Sequence, residues 1–105
     1  MNLVIEIYGM TKGFPQEERF GLITQAQRAA VSIPANIAEG WGRGSRKEYI
    51  QFLLIARGSL MELETHLLIA QKLNYLKEVQ LERIQKEIES IGMMLNRLIQ
   101  SLKKR

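Results

Sequence analysis

Apolar residues recur at alternating intervals of three and four along most of this chain, which is the pattern of amphipathic helices. The clearest stripe lies near the C-terminus and consists of Leu81, Ile84, Ile88, Ile91, Leu95, Leu98 and Leu102. A second stripe lies upstream and consists of Leu53, Ala56, Leu60, Leu63, Leu67 and Ala70. Ser45 and Glu48 precede it with the spacing of a capping box, which predicts a helix from about residue 46 to residue 73.

The connection between these two helices is short. Asn74 follows the second stripe at the position where helices commonly end in a left-handed residue. Because only a few residues, Asn74 to Lys77, join the two helices, we expect them to pack antiparallel as a hairpin.

A third stripe, further upstream, consists of Ile23, Ala26, Ala30, Ile33 and Ile37. It is followed by three glycines, Gly40, Gly42 and Gly44. Their tolerance of positive φ angles predicts that the helix stops there. Pro34 lies inside this helix, where its ring removes an amide donor and clashes with the carbonyl of Ala30. We therefore expect a kink, with Ser32 or Asn36 satisfying the freed carbonyl.

The first segment is ambiguous on pattern alone. Leu3, Ile7, Met10 and Phe14 have helical spacing, but residues 4–8 would suit a strand equally well. A lone strand would have no partner for its backbone groups, whereas three amphipathic helices need a fourth to cover them. The sequence therefore predicts an all-α protein, an antiparallel up-down-up-down four-helix bundle with a proline-kinked second helix. We expect one domain over residues 1–105.

The predicted third helix is apolar over more of its surface than one bundle requires. Leu54, Met61 and Leu68 recur every seven residues beside the main stripe, with two isoleucines beyond them. Either two helices of the same chain wrap this face, or another subunit buries it, and we favour the subunit. Gly58 and Ser59 would suit a close helix contact.

Composition argues against an enzyme. The chain has 105 residues, 46% of them hydrophobic, with no cysteine and one histidine, and all 11 acidic residues are glutamate. Disulfides, thiolate catalysis, Ser-His-Asp triads and paired-aspartate sites are therefore excluded, and we expect no cofactor and no metal. No basic residue precedes the apolar ones in residues 1–10, and no run of 18 apolar residues occurs, so we expect a cytoplasmic protein without membrane contact.

Positive charge is the main functional signal. The net charge is +4, and the excess lies in the second half of the chain. Two groups stand out, Arg43, Arg46 and Lys47 before the third helix, and Lys103, Lys104 and Arg105 at the end of the fourth. The start of helix three and the end of helix four lie at the same end of an up-down-up-down bundle. We therefore predict these six residues to be a nucleic-acid-binding site.

Three other candidate sites are weaker. Residues 40–44 (GWGRG) look like a phosphate loop, but without a preceding strand a helix-ending turn is favoured. His66 lies one helical turn after Glu62, yet a metal site needs more ligands than this pair. Trp41 could stack a nucleobase, although a tryptophan wedged into the end of a bundle is commoner.

Long stretches of the chain resemble a known family. They are residues 14–22 (FPQEERFGL) and 27–40 (QRAAVSIPANIAEG), continued by Gly42-Arg43, Ser45, Lys47-Glu48, Phe52-Leu53, Gly58-Ser59-Leu60 and residues 62–65 (ELET). They resemble the four-helix bundle proteins named after the intervening sequence of 23S ribosomal RNA. That family is similar to the accessory protein of diversity-generating retroelements, a pentamer that binds nucleic acid and a reverse transcriptase.

The resemblance implies a homo-oligomer, specifically a homopentamer, that acts as an RNA or DNA adaptor, with a reverse transcriptase as a possible partner enzyme. It also implies that the first helix of this chain is short, since family members usually extend further upstream. Two hypotheses follow. The chain is either a non-enzymatic nucleic-acid-binding adaptor that acts through its basic end, or a protein–protein interaction scaffold without a nucleic-acid role.

Overall fold

A computed structural model describes residues 2–104 as four α-helices. They are α1 (Asn2–Thr11), α2 (Leu22–Gly42), α3 (Arg46–Lys72) and α4 (Glu78–Lys103), with a 3-10 turn at Gln16–Glu18. No strand occurs between residues 2 and 104, so the all-α prediction is confirmed and the first segment is a helix. Of these helices, none is long and apolar enough to cross a membrane.

Contacts between α2, α3 and α4 show that these successive helices run antiparallel. Ser32 of α2 hydrogen-bonds Ser59 of α3 at 2.8 Å, Oγ to Oγ, and Gly40 further along α2 lies against Phe52, earlier on α3. Between α3 and α4, Arg57 donates to Asn96 at 2.9 Å and Gln85 donates to Glu64 at 3.4 Å, so the residue number rises on α3 as it falls on α4. The bundle is elongated, 46 × 24 × 18 Å, and confirms the predicted four-helix architecture.

The core follows the predicted stripe on α3 and departs from it on α4. All six predicted α3 positions are buried. On α4, Ile99 is buried while Ile91 and Leu98 are only partly buried. A straight helix drifts away from a strict three-four alternation over several turns, which rotates Ile99 inward.

The short first helix also explains the partial exposure of Leu98. α1 has 10 residues, about 15 Å, against 26 for α4. Glu6 and Glu87 meet across these two helices, so Asn2 at the start of α1 lies near the level of Ile91. Leu98 lies seven residues, about 10 Å, beyond that level. It therefore belongs to the part of α4 that α1 does not reach.

Both predicted helix signals around α3 are confirmed. Ser45 is the N-cap and its Oγ accepts a 3.1 Å hydrogen bond from the Glu48 amide. At the other end Asn74 has φ 64°, and the amides of Asn74 and Tyr75 donate to the carbonyls of Gln71 and Ala70. This is the Schellman arrangement, which satisfies carbonyls that the end of the helix leaves open.

α2 ends within the three predicted glycines, but only one of them adopts the positive φ that they can all tolerate. α2 runs through Pro34 and Gly40 as far as Gly42, and of the three glycines Gly44 alone has a positive φ, 81°. Gly40 is buried because α3 approaches closely there. A Cβ at Gly40 would lie 2.7 Å from Cβ of Phe52 and 3.0 Å from Cδ1 of Tyr49.

The polar side chains beside Pro34 make a different bond from the predicted one. The Asn36 amide donates to the Ser32 carbonyl at 2.8 Å and to the Ser32 hydroxyl at 2.9 Å. It reaches the carbonyl of Ser32 rather than that of Ala30. The Ser32 hydroxyl in turn bonds Ser59, so these polar groups connect α2 to α3.

Candidate nucleic-acid interface

The predicted nucleic-acid site is called the basic end below and comprises Arg43, Arg46, Lys47, Lys103, Lys104 and Arg105. Arg43 lies in the turn between α2 and α3, and Arg46 and Lys47 begin α3. All three are exposed, as are Lys103 and Lys104 at the end of α4. Arg105 lies outside the described residues.

The register of α3 and α4 brings the two groups to one end of the bundle. Arg57 contacts Asn96. Because the two helices are antiparallel, seven residues before Arg57 on α3 and seven residues after Asn96 on α4 lie at about the same level, and these positions are Ile50 and Lys103. Arg46 and Lys47 lie within about one helical turn of Ile50. The antiparallel packing therefore places both basic groups at the same end of the described bundle.

Arg43 makes three contacts with side chains of its own chain. Its guanidinium lies 2.9 Å from Glu39 and 4.0 Å from Glu48. The same group stands 5.1 Å above the ring of Phe52, in cation–π geometry.

The favoured interpretation of Trp41, a side chain wedged into the end of the bundle, is wrong. Its side chain is 74% exposed on the last turn of α2. Tyr49 packs against it, with ring centroids 5.8 Å apart and planes at 72°. These two residues, with Gly40, Gly44, Ser45 and Arg46, line an open cavity of about 280 Å³.

Tyr49 is the residue of this region that sequence reasoning missed. It lies on the partly buried side of α3, and its contact with Trp41 depends on how closely α2 and α3 approach at Gly40. A helix pattern shows which residues share a face, but it does not give the distance between two helices. One sequence signal could have drawn attention to Tyr49. It is an aromatic residue in the first helical turn of α3, soon after Trp41 in the last helical turn of α2.

The residues predicted to join subunits are called the apolar stripe, namely Leu54, Met61 and Leu68. They are 36%, 50% and 39% exposed. The alternative in which two helices of the same chain wrap this face is therefore wrong. Gly58 makes no close contact within the described chain, since nothing lies within 4 Å of a Cβ built there. Burial by another subunit stays a prediction.

Several ionisable groups lie away from the basic end. His66 Nε2 is 3.2 Å from Glu62 Oε2, and no group of metal-ligating side chains occurs in the described part of the chain. Burial raises the pKa of Glu87, and the hydrogen bond and negative charge of Glu6 raise it further, against a lowering by Arg83.

The phenol of Tyr75 is the second group with a shifted pKa. It donates a 3.0 Å hydrogen bond to Glu18, which joins the 3-10 turn to the connection between α3 and α4. This bond is the main reason why the pKa of Tyr75 is raised, and partial burial and the negative charges of Glu18 and Glu17 add to it.

Comparison with known proteins identifies relatives of this arrangement. Residues 1–97 match the sequence profile of a family described as 23S rRNA-intervening sequence protein. The chain is also similar to the crystal structure of a protein of unknown function from the S23 ribosomal protein family of Bacteroides thetaiotaomicron. The two are 27% identical over 91% of this chain and 87% of that one, with a TM-score of 0.79. No curated protein sequence matches the chain.

Proposed function

The chain belongs to the family of 23S rRNA-intervening sequence proteins, and we propose that it is a nucleic-acid-binding adaptor that works as a homo-oligomer. In this proposal the basic end binds phosphates of RNA or DNA, and the apolar stripe joins the copies. The protein performs no reaction itself and holds the nucleic acid for a partner enzyme, such as a reverse transcriptase.

The distribution of charge is the observation that carries this proposal. Residues 39–48 and 103–105 together contain six basic and two acidic side chains. The rest of the chain contains nine of each, so these two segments carry the whole net charge of +4. A charge needed only for solubility has no reason to collect at one end, whereas a phosphate-binding surface does.

The two acidic residues at this end do not neutralise the positive charge of the basic end. Glu39 and Glu48 lie beside Arg43, so this arginine is partly neutralised and held in place. We assign phosphate binding to the exposed Arg46, Lys47 and lysines of α4. Arg43 serves more to shape the turn than to bind.

Oligomerisation would strengthen such a site. Several copies of the basic end on one particle attract phosphates together, and a strand held by one copy is presented to the next at high effective concentration. The exposed apolar stripe supports assembly, because an apolar row on a helix is stabilised when another surface covers it. The family resemblance implies five copies.

Fluorescence anisotropy with labelled RNA and DNA at about 50 mM salt tests the proposal, since even non-specific binders have measurable affinity there. We expect binding that weakens steeply with salt and varies little with sequence. Replacing both Arg46 and Lys47 with Gln should reduce the slope of log affinity against log salt by roughly one for each cation that contacts phosphate.

The matched control replaces Lys12 and Lys72 with Gln, which removes the same charge from exposed positions at the opposite end of the bundle. This variant should bind almost as the parent protein does. Equal losses in the two variants would show that the basic end is not the site. If neither RNA nor DNA binds at low salt, the scaffold hypothesis replaces the adaptor.

A further inference from the structure

Trp41 is a large apolar side chain that the fold leaves in water next to the cations of the basic end. Among the large hydrophobic residues that the structure describes, its 74% exposure is exceeded only by Phe20 at 88%, in the turn before α2. A single exposed hydrophobic residue is ordinary. An exposed indole that shares a cavity with Arg46 is different, because it combines an aromatic face with a positive charge.

The indole has an aromatic neighbour in its own chain. Tyr49 packs against it at 72°, and this near-perpendicular contact leaves most of the indole surface open. Tyr49 is partly buried and lies against Gly40, since a Cβ built at Gly40 would be 3.0 Å from its Cδ1. The contact with Tyr49 restricts the indole, and a side chain that is already restricted loses less conformational entropy when it binds a partner.

A stacking surface beside cations suits one class of ligand. In single-stranded nucleic acid the base faces are open, and aromatic side chains stack on them while basic residues follow the phosphates. In a duplex each base face is already covered by its neighbours, so Trp41 would have nothing to stack on. Duplex binding would use the cations alone.

We propose that Trp41, braced by Tyr49, stacks an unpaired base, so that the basic end binds single-stranded nucleic acid through both its phosphates and its bases. This inference rests on the proposed function, since it needs nucleic acid at the basic end. It goes beyond phosphate binding by assigning a base-binding residue and a substrate class.

Trp41 is the only tryptophan of the chain, so its fluorescence reports directly on stacking. The probes are a deoxythymidine strand of about 12 nucleotides and an abasic strand of the same length and charge, at about 50 mM salt. We expect the deoxythymidine strand to quench the fluorescence and the abasic strand to leave it unchanged. The abasic strand should bind roughly five- to 150-fold more weakly, the range expected for loss of one stacked base.

Variants separate stacking from charge. Trp41→Ala should abolish the difference between the two strands, whereas Trp41→Phe should keep part of it because phenylalanine also stacks. The control is Phe20→Ala, which removes another exposed aromatic side chain from the opposite end and should change nothing. Trp41→Ala and the parent protein should bind a duplex of about 24 base pairs with the same affinity, since the cations alone hold the duplex.

The outcomes distinguish this inference from the proposed function. Equal binding of both strands without quenching overturns the role of Trp41 and leaves phosphate binding by the basic end intact. Failure of every strand and of the duplex to bind overturns the proposed function and, with it, this inference.

Discussion

Replacing Gly40 with alanine should destabilise the bundle, although alanine is the better helix former. Gly40 lies inside α2, so the substitution gains about 1 kcal/mol of helix propensity. The new Cβ would stand 2.7 Å from Cβ of Phe52 and 3.0 Å from Cδ1 of Tyr49. The Phe52 atom is bonded directly to the backbone, so it cannot rotate away. α2 and α3 must move apart, and overpacking of this kind costs roughly 1–3 kcal/mol.

Gly9→Ala is the matched control because it makes the same chemical change without the contact. Gly9 lies two residues before the end of α1, as Gly40 does in α2, and nothing lies within 4 Å of its Cβ position. Both variants gain the same propensity, so the difference between their free energies of unfolding isolates the close approach at Gly40. We expect Gly9→Ala to be stabilised by about 1 kcal/mol. Gly40→Ala should be less stable than Gly9→Ala by roughly 1–3 kcal/mol.

Denaturant unfolding followed by far-UV circular dichroism measures both free energies. Protein concentrations must be equal in all samples, because assembly links stability to concentration. If Gly40→Ala were as stable as Gly9→Ala, the close packing of α2 against α3 would be refuted.

Three further predictions concern side chains away from this contact. Burial and the hydrogen bond from Glu6 raise the pKa of Glu87, so the charged form of Glu87 is disfavoured in the folded protein. Glu87→Gln should therefore stabilise the protein at neutral pH. Chemical denaturation should show that this gain in stability vanishes as the pH falls through the raised pKa. Tyr75→Phe loses the bond to Glu18, so it should be less stable than the parent below pH 10.0, with the difference lost as pH rises through the raised pKa of Tyr75. Met61→Glu should convert the oligomer to helical monomers by light scattering, and a monomeric parent protein would contradict the role of the apolar stripe.

The sequence pattern correctly predicted features that depend on the residues of a single helix. Ser45 caps α3 and Asn74 ends it in a left-handed conformation, as their positions indicated, because capping involves neighbouring residues only. The α3 stripe was also predicted correctly, since its periodicity fixes which face turns inward.

Features that depend on distances between helices were not predictable. The sequence marks Gly40 as a residue that can adopt unusual angles, but its role comes from the nearness of Phe52. In the same way, the apolar character of Leu98 does not show that this part of α4 lies beyond the level of Asn2, where α1 starts. For the basic end, the charges were visible in the sequence, whereas the pairing of Arg43 with Glu39 and the exposure of Trp41 required the packed helices.

The short α1 also has a consequence for folding during synthesis. Its buried apolar side chains, Leu3 and Ile7, leave the ribosome before those of the other three helices. However, α1 also packs beside α4, where Glu6 meets Glu87 about 80 residues later in the chain. While α2 and α3 form their antiparallel pair from residues that are close in sequence, α4 is still absent. At that stage α1 lacks its neighbour on one side. Contacts between distant segments form slowly because closing the intervening loop costs entropy. Of the four helices of the bundle, α1 is therefore made first and enclosed last, and its apolar face is the part of the bundle that stays open to other proteins for longest.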